Sequence, residues 1–243
     1  MPKSPKELIE ERIRELEGED SNARWLAAKK LEEYALERGY DIKAAIPALV
    51  IAANDPRSLL SALAGGAIQA AAKTGTDISD ALDMLIKDLE TDQSWAKVAP
   101  LHTIGMAATG TDISATIGLL ADIIESEKGP AKIKTTEAIA KAAENGFDIS
   151  VAIPNLRKAL DSDDKELAVF AAEALAAIEK DLEGSRELLQ KIAKKHPEQK
   201  KELAEAYIRI VKAIKKPEMA GIVLDPKIKP PKDGRFRMRR AYA

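Results

Sequence analysis

The chain has 243 residues, a formal net charge of −2, 45% apolar residues, only 4% aromatic residues and no cysteine. That is enough apolar material for a sizeable core, which excludes a disordered chain, and it would serve one large domain or two small ones. The missing cysteine excludes disulfides, thiolate nucleophiles, iron–sulfur clusters and cysteine zinc sites.

The first segment, "MPKSPKELIEERIRELEGED", is charged throughout and lacks the apolar run of a signal peptide. Residues 5–38 read as a helix pair whose charged outer positions suit a capping unit, which must show one face to water. Next comes a five-residue phrase that returns four times: "GYDIK" from Gly39, "GTDIS" from Gly75, "GTDIS" from Gly110 and "GFDIS" from Gly146. A fixed period of this size marks a stacked helical array. It sets repeats at 39–74, 75–109, 110–145 and 146–181.

Within each repeat an apolar stripe follows the phrase at steps of four, three and four, as in Ile42, Ile46, Leu49 and Ala53, which is one face of a helix. A polar break and an alanine-rich second helix come next. The phrase is then a joint between repeats. Gly39, Gly75, Gly110 and Gly146 close one helix in the left-handed conformation. Asp41, Asp77, Asp112 and Asp148 cap the next helix with their carboxylates. A shared metal site is disfavoured, because equivalent residues in stacked helices lie roughly 10 Å apart. Pro47 and Pro154 share a column inside the first helix, where a proline bends the helix or marks its true first turn; Asp83 and Gly118 hold that column in the other two repeats, so a bend there is optional.

Residues 182–216 form a second capping pair, so residues 1–216 read as one all-α domain, a right-handed α-solenoid of about six helix pairs. After Lys216 the helical pattern stops. The segment 217–243 carries seven Lys and Arg against three Asp and Glu, whereas the other 216 residues carry 31 against 37. Such asymmetry often marks an interaction tail. Lys227, Lys229 and Lys232 flank prolines that favour an extended chain. Beyond them Arg235, Arg237, Arg239 and Arg240 interleave with Phe236 and Met238. Those letters suit docking into an acidic protein groove with Phe236 and Met238 as anchors. They also suit RNA, where charge meets phosphate and a ring stacks on a base. A solubilising tail with no specific partner is the third reading.

The pattern resembles HEAT repeats. The resemblance rests on the proline-bearing first helices "AAIPALVIAANDP" and "VAIPNLRKALDSDD" with their alanine-rich second helices. It covers about 39–181 well and reaches more loosely to both ends. The family's Asp-Pro followed by arginine is approached only by "NDPRS" at 54–58. The resemblance implies an α-α superhelix whose second helices line the concave surface.

Chemistry is sparse. HEAT-like deoxyhypusine hydroxylases hold two irons with His-Glu pairs, but this chain has two histidines, His102 before Thr103 and His196 before Pro197. His102 reads as a packing or surface residue and His196 as a surface residue. HEAT-like DNA glycosylases need a basic face with tryptophans, whereas this body is acidic. Trp25 and Trp95 stand near the starts of second helices in different repeats, where each would fill the gap between paired helices; a base-stacking role is the weaker alternative. "LAGGAIQ" at 63–69 has neither dinucleotide nor P-loop spacing, and Gly65 and Gly66 would let helices approach closely. No catalytic residue, metal ligand or cofactor site is expected.

The longest apolar run, Ala44 to Ala53, contains Pro47 and is too short to cross a bilayer, so no membrane insertion is expected. The expectation is a soluble, cytoplasmic, non-catalytic scaffold that grips a partner protein or multisubunit complex with its solenoid and tail. A ribosome- or RNA-associated factor acting through the tail is the alternative.

Overall fold

The computed structural model describes residues 3–55, 58–179, 182–196 and 200–213. The tail residues singled out above, Lys227 to Arg240, lie outside the described residues. Among the described residues there are twelve α-helices and no strand. They are α1 (Pro5–Glu17), α2 (Ser21–Arg38), α3 (Ile46–Ala53), α4 (Ser58–Lys73), α5 (Ser79–Asp88) and α6 (Val98–Ala107), then α7 (Ile117–Ser126), α8 (Gly129–Glu144), α9 (Ile153–Ala159), α10 (Lys165–Glu179), α11 (Leu182–Lys195) and α12 (Lys200–Ala213). They form two compact units, Met1–Ala152 and Ile153–Ala243.

In the first unit α1 to α8 make four pairs. The second helices α2, α4, α6 and α8 pack side by side in order, and α1, α3 and α5 pack in a row behind them. The entry to α1 is a capping box. Ser4 Oγ accepts from the Glu7 N–H at 3.3 Å, the Glu7 carboxylate accepts from the Ser4 N–H at 2.7 Å, and Pro5 occupies the first turn. The first-helix stripes are buried: Ile42, Ile78, Ile113 and Ile149 lose essentially all exposure, as do Leu49, Leu85 and Leu120.

The joints have a common geometry. Asp41 Oδ1 accepts from the Lys43 N–H at 2.9 Å, Asp77 from Ser79 at 3.0 Å, Asp112 from Ser114 at 2.8 Å and Asp148 from Ser150 at 2.9 Å. Each carboxylate satisfies an N–H that the first turn leaves without a helical partner. In three joints that turn is a 3₁₀ turn, at Lys43–Ala45, Ser114–Thr116 and Ser150–Ala152, and the α-helix proper begins after it. Pro47 therefore sits in the first α-turn, and Pro154 is the second residue of α9. Neither interrupts a helix, because neither displaces a helical N–H.

The glycines divide. Gly39, Gly75 and Gly146 have φ of 62°, 83° and 82°, the left-handed region. Gly110 does not adopt it. A Cβ on Gly110 would lie 2.5 Å from the Lys73 nitrogen and 2.7 Å from the Ala72 carbonyl carbon. Its glycine is required for a close approach of backbones, where the sequence suggested a left-handed turn.

The second unit contains α9 to α12. Helix α10 packs on α9, α11 and α12, and α11 packs on α12. Its core joins Ala172 and Val169 of α10 to Leu189 and Ile192 of α11 and Leu203, Tyr207 and Ile210 of α12. Buried Glu173 accepts from Arg209 Nε at 2.7 Å, which links α10 to α12 and compensates the charge.

Candidate functional site

In Met1–Ala152 the second helices present a row of outward stripes, each built by steps of three and four residues. Helix α2 shows Trp25, Lys29, Glu32 and Leu36. Helix α4 shows Leu59, Ala62, Gln69 and Lys73, with Gly66 between them. Helix α6 and the turn before it show Trp95, Ala99, His102, Met106 and Thr109. Helix α8 shows Lys134, Glu137 and Lys141.

The packing between stripes explains the small residues. A Cβ on Gly66 would lie 3.3 Å from Glu32 Oε1, and one on Gly65 would lie 3.1 Å from Met106 Sδ. Gly105 would meet the Ala138 Cα at 3.2 Å. The glycines expected to let helices approach do so, at both flanks of α4. Gln69 Nε2 then donates to Thr109 Oγ1 at 2.9 Å and ties α4 to the end of α6.

Trp95 differs from what its sequence position suggested. It does not fill the gap between paired helices: it is 73% exposed. Its 3₁₀ turn, Ser94–Lys97, is nevertheless fixed, because Lys97 Nζ pairs with Glu127 at 2.5 Å and both side chains are mostly buried. Hydrogen bonds from Lys97 and Ser94 hold the Glu127 carboxyl below its ordinary range. The signal for exposure lay in the polar neighbours, "TDQSWAK". Trp25 is half-buried, carries Lys29 Nζ 5.7 Å above its ring, and has a buried indole N–H with no acceptor among the described residues. Leu59, at the start of α4, is 59% exposed. Large apolar side chains thus stand near the N-terminal ends of three successive second helices.

His102 is half-buried and faces the α8 cluster. Burial pushes its imidazole below the ordinary 6.5, Lys134 and Lys141 lower it further, and Glu137 opposes them. Burial pushes the Glu137 carboxyl up, but hydrogen bonds from Lys134 at 2.7 Å and Lys141 at 2.8 Å, with their charges, win and hold it at about 2. The outcome is an ionic seam on α8 in which one carboxylate sits between two ammonium groups, and its excess positive charge adds to burial in disfavouring the protonated form of His102. His196 directly follows α11, its backbone N–H donating to the Ile192 carbonyl at 2.8 Å.

The four joint aspartates lie outside this row of stripes and act on backbone N–H groups. Asp77 is also held below its ordinary range by Lys43, whose Nζ lies 2.7 Å away, and by Ser79. That ion pair connects successive joints. Among the described residues no group of His, Asp and Glu is arranged to hold a metal ion. No helix among them is long and apolar enough to cross a membrane.

No known protein family matches the sequence, and neither does any curated protein. Solved structures do resemble it. An engineered protein from a structural genomics consortium is 22% identical over 85% of this chain and 96% of its own, with a TM-score of 0.54. A designed armadillo repeat protein in complex with the peptide (KR)4 is 18% identical over 86% of this chain and 99% of its own, at 0.52. A second designed armadillo repeat protein is 19% identical over 85% and 99%, at 0.50. At such identities the likeness concerns the fold, and it defines the class: this is an all-α helical-repeat solenoid.

Proposed function

We propose that this chain is a non-catalytic, HEAT-like protein-binding scaffold that grips a partner with the row of second helices in Met1–Ala152. The observation that carries the reading is Trp95, 73% exposed on a turn anchored by a buried ion pair. An exposed but rigidly mounted tryptophan is costly to keep in water and loses little entropy on contact, the profile of an interface anchor. Leu59 is a second exposed apolar side chain, near the start of the neighbouring second helix, and the α8 ion cluster gives the row a polar border. The (KR)4 peptide bound by one designed armadillo neighbour supports the idea that such an array holds an extended protein segment. The basic tail is a second contact point on sequence grounds, through Arg235, Phe236, Arg237, Met238, Arg239 and Arg240.

The test is affinity purification with three baits: the full chain, Trp95→Ala, and a chain ending at Lys216, each with and without nuclease. A partner held by the full chain, lost with Trp95→Ala and indifferent to nuclease is the expected result. A partner that Trp95→Ala retains overturns the stripe as the site. Loss with the tail or with nuclease would transfer the function to the tail and favour an RNA or ribosome contact.

A further inference from the structure

A second surface in Met1–Ala152 shares no residue with the stripes. The turn between α1 and α2 and the solvent side of α3 border an open surface depression of about 500 Å³. Leu16 and Ala48 are buried beneath it, and Ile51 on α3 stands 63% exposed at its side. Its rim carries Glu17 and Glu19, whose carboxylates form no ion pair among the described residues. The cation in its wall, Arg24, is occupied. Arg24 Nε donates to the Leu16 carbonyl at 2.9 Å and a guanidinium N–H donates to Asp55 Oδ2 at 2.9 Å. This half-buried clamp fixes α2 against the end of α1 and against the α3–α4 turn, so the hollow is shaped by internal contacts.

We infer that this depression receives a partner-protein segment in which a cationic side chain neighbours a large aliphatic or aromatic one. The apolar group covers Ile51, and the cation lies between Glu17 and Glu19. A wholly apolar segment would partly desolvate two carboxylates without compensation. A wholly basic one would leave Ile51 in water. The wider charge distribution points the same way. Met1–Ala152 holds 17 Lys and Arg against 25 Asp and Glu, so its field draws cationic segments and repels acidic ones. The inference rests on the reading that this chain binds protein segments, and adds a separate site with a stated chemistry.

The experiment is fluorescence anisotropy on the full chain with three dye-labelled peptides of equal length: alternating Arg and Leu, alternating Arg and Ser, and alternating Glu and Leu. The variants are Ile51→Ser, the pair Glu17→Gln with Glu19→Gln, and Trp95→Ala. The glutamine pair keeps side-chain volume, so it removes charge without disturbing the fold. The Arg–Leu peptide should bind, and more tightly than the other two. Each depression variant should weaken it by about tenfold or more. No binding of the Arg–Leu peptide overturns the inference. So does binding that survives both depression variants, or an equally tight Glu–Leu peptide. Binding lost only with Trp95→Ala also overturns it and leaves the stripe reading standing; that reading falls separately, if the Trp95→Ala bait keeps its partner.

Discussion

Gly110 and Gly39 have the same letter and the same repeat column, yet different physical constraints. Gly39 needs only a left-handed φ, with no heavy atom near its absent Cβ. Asparagine tolerates that conformation, so Gly39→Asn should cost under about 1 kcal/mol. At Gly110 the obstacle is space, since the end of α4 lies where a Cβ would be. Gly110→Asn should therefore cost about 1–3 kcal/mol, as overpacking does. Urea denaturation of both variants checks the contrast, and equal losses would refute it. Trp95 gives the complementary case. Trp95→Ala should change stability by under about 0.5 kcal/mol, because an exposed ring contributes little packing. A large loss in the same assay would mean that the ring is structural.

Each repeat begins with a short first turn that carries its own cap. Asp112 accepts from both the N–H and the Oγ of Ser114, at 2.8 and 2.6 Å, and its carboxyl is held below its ordinary range. Asp112→Ala should cost about 1 kcal/mol in thermal or urea unfolding, the usual worth of a cap. The α6–α8 seam predicts an acid response in two windows. His102 is held neutral, with its folded pKa below the unfolded 6.5. The unfolded chain then binds the proton first, so this contribution is complete above pH 6.5 and is lost as pH falls from there. Glu137 is held charged at about 2 against an ordinary 4.5, so its contribution is present above pH 4.5 and is lost between there and about pH 2. Stability measured against pH should lose its near-neutral slope in His102→Gln and its acid slope in Glu137→Gln. A variant that leaves the profile unchanged would show that its group is not coupled to folding.

At the scale of the whole molecule, both tryptophans lie in Met1–Ala152 and none in Ile153–Ala243. Fluorescence thus reports one unit, while far-ultraviolet circular dichroism reports helices in both. Two compact units give no reason for a single cooperative transition. The two urea transitions should not coincide, and superimposable curves would show that the units unfold as one.

The sequence by itself determined the helix pairs, their joints and the buried stripes, because each depends on residues within one period of the chain. A left-handed glycine, an aspartate two residues on and an isoleucine after it are local facts of backbone and cap chemistry. Tertiary structure decided the rest. The need for glycine at position 110 comes from the end of α4, thirty-odd residues away in sequence, which a local motif does not encode. The exposure of Trp95 depends on an ion pair from the α7–α8 turn that holds its own turn in place. The depression over Ile51 exists because Arg24 joins three separate segments. Candidate sites on a repeat protein arise where several repeats meet, and those meetings are properties of the fold.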